Sequence, residues 1–426
     1  MKNFLTTLFS VISLIAVGQN SSEFLHCGYD WVINQHEKEN PGYKSYLEKS
    51  FQLLKNEAQF EKTDFNYNVQ TVVHIVYQND SQNLSDERVQ AVINQLNRDF
   101  SRSNADTTNI RPIFKNRAAD PAIHFELQEI IRVATDTVFE LDIFGGGLPD
   151  NVKSSADGGS DARNVDEFLN IWICNIEDRI LLGYAYPPSC APNWPEDSAV
   201  PERRFDGVVV HYEAFDTTGS ISTQGTTVNF QGRVLTHEVG HYLGLRHTWG
   251  DGTLAIFGFP DCDADDGLED TPNQGLSSNF SCDFELNTCT EGETDLPDMI
   301  ENYMDYSAER CQNMFTVQQV GIMRATLSQC RNNILTSSTE VVRTEEIGFQ
   351  LYPNPTSKWL NLDTQTDLNS HVHLRIIGLN GHIHMEQSIG MHSGQARSDI
   401  SSLQPGLYFA EIQIANKRKV LRFVKQ

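Results

Sequence analysis

The residues best placed to do chemistry lie in one run: His237-Glu238-Val239-Gly240-His241-Tyr242-Leu243-Gly244-Leu245-Arg246-His247. It reads H-E-x-x-H-x-x-G-x-x-H. Residues four apart on a helix share a face, so His237 and His241 project together, one turn above the other. Gly244 ends the helix in a left-handed turn, and His247 then approaches the same point from below. Three neutral imidazoles suit zinc and leave its fourth position to water, the arrangement of a catalytic site. Glu238 is placed to take a proton from that water rather than to ligate. Further on, Glu301-Asn302-Tyr303-Met304-Asp305-Tyr306-Ser307 offers Met304 as an apolar floor beneath a metal. Tyr306 is a donor for an oxyanion, or a movable fifth ligand. His74 and His211 have no ligand spacing and read as packed histidines.

These groups need a scaffold. Val69 to Tyr77 is a β-branched, alternating run and predicts a strand. Ser85 caps an amphipathic helix to Phe100 through Val89, Val92, Ile93 and Leu96. Ile123 to Glu129 and Phe168 to Ile176 read as strands. The turn Asp206-Gly207 introduces a strand from Val208 to Tyr212; in metzincins, which the histidine run resembles, the strand at this place edges the cleft and can pair with an extended substrate. The zinc helix spans Phe230 to Gly244. Thr316, with Gln319 three residues on, caps a last helix running to Leu335.

The stretches HEVGHYLGLRHTWG, CDADDGLEDTPN, NYMDYSAERC and FTVQQVGIMR resemble the pappalysin family of metzincins, related to pregnancy-associated plasma protein A, over residues 68 to 335. The resemblance implies a zinc endopeptidase acting on proteins or peptides. Its α+β fold would be a metzincin catalytic domain with a mixed five-stranded sheet and a zinc helix. His237, His241 and His247 would be ligands and Glu238 the general base. The disulfides Cys262–Cys289 and Cys282–Cys311 are also implied. So is structural calcium at Asp266 and Thr271, in a loop whose dense oxygen donors suit that ion. Latent metzincins often set a cysteine followed by glycine over the zinc, and Cys27-Gly28 matches, as a ligand of the latent form. Relatives that cut before arginine carry an acidic residue just ahead of the cysteine after the methionine turn. Here Arg310 stands there, so the specificity pocket should lose its preference for arginine and admit acidic or neutral side chains.

A length of 426 residues allows two or three domains. Lys2, the apolar run from Phe4 to Val17 and the small residues Ala16 and Gly18 at the two cleavage positions make residues 1–18 a secretory signal, cut after Gly18. Residues 19–66, with Cys27 and a helix near Tyr46 to Phe60, read as a propeptide. The catalytic domain takes 67–336 and a linker 337–347. From 348 to 426 the text turns to short strands. Tyr352-Pro353-Asn354-Pro355, the turn at Gly381, Leu403 to Tyr408 and the basic Lys417-Arg418-Lys419 resemble the C-terminal sorting domain of the Bacteroidetes type IX secretion system. That implies a small all-β, sandwich-like module, partnership with the secretion machinery, and a secreted or surface location.

The net charge of −25 argues against nucleic acid and anionic membranes as partners. After the signal no apolar stretch is long enough for a transmembrane span. Eight cysteines in an exported chain suggest disulfides. The pairing of Cys174, Cys190 and Cys330 stays open, with Cys174–Cys190 one option. The alternatives to a peptidase are an inactive metzincin-fold binding protein and a surface adhesin.

Overall fold

β-branched residues favour the pleated sheet, and the run from Tyr67 to Tyr77 forms one of its interior strands. In the computed structural model the described residues are 25–58, 66–142, 147–177, 181–189, 203–223, 226–250, 259–290, 292, 295–336, 350–363, 370–378, 382–414 and 417–426. The signal segment and the linker expected from the sequence lie outside them. The chain divides into two units, Met1–Ser338 and Thr339–Gln426.

The strands of the first unit's main sheet are β1 (Leu25–Cys27), β2 (Tyr67–Tyr77), β3 (Ile123–Ala134), β4 (Leu169–Cys174), β5 (Leu181–Ala185) and β6 (Val208–His211). Their order is β1-β5-β6-β4-β2-β3. Neighbours pair in parallel except β5 with β6, which are antiparallel. Without β1 this is a five-stranded mixed sheet.

The strand from Val208 was expected to edge the cleft, but β6 is flanked on both sides, by β4 and β5. The outer strand of the five on that side is β5, and β1 of the N-terminal segment pairs along it. Leu181–Ala185 is buried at every position. So short an apolar run has no alternation by which periodicity could separate it from loop.

The helices are α1 (Tyr29–Glu39), α2 (Tyr43–Glu57), α3 (Asp86–Phe100), α4 (Arg233–Tyr242) and α5 (Val317–Gln329). Ser85 caps α3 by accepting from the Arg88 N–H at 3.3 Å. Val89, Val92, Ile93, Leu96 and Phe100 bury its apolar face. Thr316 and Gln319 form the expected capping box of α5. That helix stops at Gln329, and Asn332–Ile334 continues as a separate 3-10 turn. Helix α1 had no clear periodic signal. Its Val32 and the Phe51 and Leu54 of α2 are nonetheless buried in the cores around the main sheet. Burying each such side chain stabilises by about 1.5–3 kcal/mol.

Most of the described residues between α4 and α5 lie outside helices and strands, and disulfides Cys262–Cys289 and Cys282–Cys311 staple them. Cys174 is a free, buried thiol, so it does not pair with Cys190. Cys330 is disulfide-bonded.

The second unit has a three-stranded sheet (Gln350–Tyr352, Trp359–Asp363, Gln395–Asp399) and a four-stranded one (Ile383–Met391, Ser370–Gly378, Gly406–Ile414, Lys417–Lys425). Leu360 and Leu362 of the first share one core with Val372, Leu374, Ile376, Ala410 and Ile412 of the second, the packing of a β-sandwich.

Candidate metal centre

Helix α4 presents His237 and His241 one turn apart. Gly244 follows in a left-handed conformation, φ +92°, that returns the chain toward the same point. His247 then closes the group. The His241 Nε2 lies 3.0 Å from His237 Nε2 and 3.1 Å from His247 Nε2. His237 donates its Nδ1 proton to the Tyr303 carbonyl at 2.7 Å, and His241 donates to the Leu245 carbonyl at 2.9 Å. These bonds fix the tautomers, so both Nε2 lone pairs face the gap. Burial, with His247 adding, lowers the His237 pKa to about 3 and drives that of His241 well down. Neutral nitrogens that converge without a proton between them fit a tetrahedral zinc, whose nitrogen ligands sit about 2.0–2.1 Å from the ion.

A fourth donor comes from the N-terminal segment. Ligand atoms of Cys27, His237, His241 and His247 all lie within 4.8 Å of one another, and all four residues are buried. The Cys27 thiol donates to Glu238 Oε2 at 3.3 Å. Burial, with Glu238 next, pushes the thiol's pKa well up. Burial does the same to the Glu238 carboxyl, whose Oε1 has no hydrogen-bond partner. Gly183 of β5 allows this carboxylate its place. A Cβ there would stand 2.9 Å from Glu238 Cγ and 2.9 Å from the Val209 carbonyl.

Tyr306 faces the same centre, its hydroxyl 3.1 Å from His247 Nε2 and 3.5 Å from the Cys27 carbonyl. Met304 lies beneath α4, where a Cβ at Gly240 would meet its sulfur at 2.4 Å. Several partners escaped the sequence reading. Tyr29 stacks on His241 at 4.0 Å and Trp249 on His247 at 4.4 Å. Asp30 Oδ1 stands 3.6 Å from His247 Nδ1. All three residues adjoin motifs already noted, so proximity in sequence was the available signal.

Beside Glu238 a cavity is walled by Leu182, Phe230, Asp305, Glu309 and Gln312. Arg310 is exposed and does not line it. The residue one step earlier, Glu309, takes that place. Asp266 and Thr271 lie together elsewhere, the Thr271 hydroxyl donating to Asp266 Oδ1 at 2.8 Å. His74 and His211 are packed as expected, His74 between Ser160 and Asn170 and His211 accepting from the Ile176 N–H.

The structure of Tannerella forsythia promirolysin is 32% identical, with a TM-score of 0.59, over 72% of this chain and 96% of that one. The chain belongs to the peptidase family of pregnancy-associated plasma protein-A. The model of that family matches residues 161–328. Another member, mature mirolysin of Tannerella forsythia in complex with a cleaved peptide, is 35% identical, with a TM-score of 0.53, over 64% of this chain and 96% of that one. The extracellular metalloprotease of Arthroderma otae is 26% identical over 65% of this chain and 83% of its own length. Membership makes the chain a metalloendopeptidase, and the family implies zinc. The model for the secretion system C-terminal sorting domain matches residues 350–426, which assigns the chain to export by the type IX route. No helix among the described residues is long and apolar enough to cross a membrane.

Proposed function

We propose that the chain is made as a latent zinc endopeptidase, with His237, His241 and His247 as ligands, Glu238 as general base, and residues 19–66 as a removable prosegment. The observation that carries this is the convergence of the Cys27, His237, His241 and His247 ligand atoms within 4.8 Å, with Glu238 beside them. As a thiolate ligand of that metal Cys27 would exclude water, and the segment bearing it also lies along the strand that an extended substrate would use. Zinc held by His237, His241 and His247 would supply Lewis acidity to the scissile carbonyl and to the attacking water. Glu238 takes that water's proton and passes it to the leaving amine. Its buried setting suits a base that must hold the proton between those steps. Tyr306 donates to the oxyanion as charge develops there.

The test uses the chain freed of its prosegment, wild type against Glu238→Ala, on a protein substrate, with metal chelation and zinc add-back. Wild type should cleave only with zinc, and the variant should bind zinc without cleaving. Equal cleavage by both would remove Glu238 from the mechanism.

Asp305 Oδ2 and Gln312 Oε1 are buried without hydrogen-bond partners, and both residues line the cavity beside Glu238. We read that cavity as a subsite for a cationic side chain, reversing the expectation drawn from Arg310. A peptide library cleaved preferentially before acidic residues would refute it. Asp266 is buried, with its Oδ2 unpartnered. An interior carboxylate oxygen without a donor fits calcium, held by Asp266 with help from Thr271.

A further inference from the structure

The zinc helix begins without a cap of its own. Gly232, in a left-handed conformation with φ +86°, precedes Arg233 and has no side chain to accept the first N–H groups. Glu309 supplies the acceptors from the far end of the methionine-turn segment. Its Oε2 accepts from the Gln231 N–H and, at 3.1 Å, from the Arg233 N–H. Its Oε1 accepts from the Val234 N–H at 3.1 Å. Arg233 answers by donating to the Glu309 carbonyl, while its other nitrogen reaches Asp106 at 2.6 Å and Asp99 at 3.6 Å. The lock is reciprocal, carboxylate to helix backbone and guanidinium to turn backbone, and it is buried on both sides. A carboxylate at a helix N-terminus also gains from the helix dipole.

The same segment is tied to α4 at two other places. The Tyr303 carbonyl accepts from His237, and Met304 fills the space left by Gly240. Tyr306 lies between these contacts and Glu309, its ring centroid 5.4 Å from that of His237. Glu309 is therefore the tie on the C-terminal side of Tyr306, and it also walls the cavity beside Glu238.

We propose that Glu309 is a positioning residue for peptide hydrolysis. By capping the zinc helix across the fold, it sets where Tyr306 stands relative to Glu238 and the metal ligands. This rests on the reading of Glu238 and Tyr306 as acting groups.

The test compares Glu309→Asp, Glu309→Gln and Glu309→Ala, each freed of prosegment, with kcat expressed per molecule titrated by a zinc-binding hydroxamate. Glutamine matches glutamate in size but turns an NH2 toward backbone donors. Aspartate keeps the charge on a shorter stem. Displacing a catalytic group by about 1 Å costs on the order of 100-fold, so on a substrate that offers the cavity beside Glu238 a small neutral side chain, Glu309→Gln should lose about 10- to 100-fold in kcat with little change in KM. Aspartate should fall between it and wild type. A double-mutant cycle with Tyr306→Phe should be markedly non-additive, the second change costing little once the first is made. A kcat per titrated site equal to wild type, or an additive cycle, would overturn the proposal even if the melting temperature fell. If glutamine or alanine prevents folding, the aspartate variant carries the comparison. Failure of the Glu238 reading is separately visible, since Glu238→Ala would then remain active.

Discussion

Replacing Asp266 by asparagine tests the second candidate metal site in a way that works from charge alone. Burial lifts the Asp266 carboxyl to about 7, from an ordinary value of 3.8. The folded chain thus keeps a proton that the unfolded chain has released, and its stability falls as pH rises through that window. About three pKa units at ~1.4 kcal/mol each give a penalty of about 4 kcal/mol above pH 7, as long as no cation is bound. Asparagine keeps the Oδ1 that accepts from the Leu268 N–H and the Thr271 hydroxyl but carries no charge. In the Glu238→Ala background, which cannot digest itself, calcium-free Asp266→Asn should therefore melt higher than its parent at pH 8. The gap should close near pH 4. Calcium should act oppositely on the two. At 10 mM and a Kd of about 0.1–1 mM it adds about 1.4–2.7 kcal/mol to the parent and nothing to the variant. For a domain of this size that is a rise in Tm of about 3–10 °C. Scanning calorimetry at pH 4, 6 and 8, with zinc held constant, reads both effects. Equal calcium shifts in parent and variant would refute the reasoning, as would a parent whose Tm ignores calcium.

Cys27→Ala should raise the activity of the uncut chain, but only in part, because β1 still pairs with β5 and Tyr29 still stacks on His241; a fluorogenic peptide assay on purified uncut chain measures this, and activity equal to the Cys27 form would count against the switch. Tyr306→Phe removes one donor to the oxyanion and should cost about 10²-fold in kcat, with KM nearly unchanged, in steady-state kinetics of the mature enzyme. Gly183→Ala puts a methyl 2.9 Å from Glu238 Cγ, so zinc content should be retained while kcat falls at least about tenfold; unaltered kinetics would mean that β5 gives way instead.

The convergence of His237, His241 and His247 was legible because it depends on helical spacing, which the sequence writes directly. The helices α3 and α5 were legible from their caps, Ser85 and Thr316, which act within one turn. The edge strand was not. Leu181–Ala185 earns its place only by pairing with β6, a contact made far along the chain. Glu309 was hidden for the same reason, since it caps a helix that begins 76 residues earlier. Arg310 illustrates the opposite error. Counting back from Cys311 selected the right neighbourhood, but the backbone turns Glu309 inward and Arg310 toward solvent.

The pairing of β1 with β5 also bears on the mature enzyme. If the proposed prosegment is removed, Leu25–Cys27 leaves with it and the outer row of N–H and C=O groups on Leu181–Ala185 loses its partner. An open strand edge accepts almost any extended chain, including a neighbour of its own kind. This edge belongs to a peptidase, so a chain that pairs there in the substrate's direction is presented for cutting. Self-association along this seam would be self-limiting, because sticking and digestion share one surface.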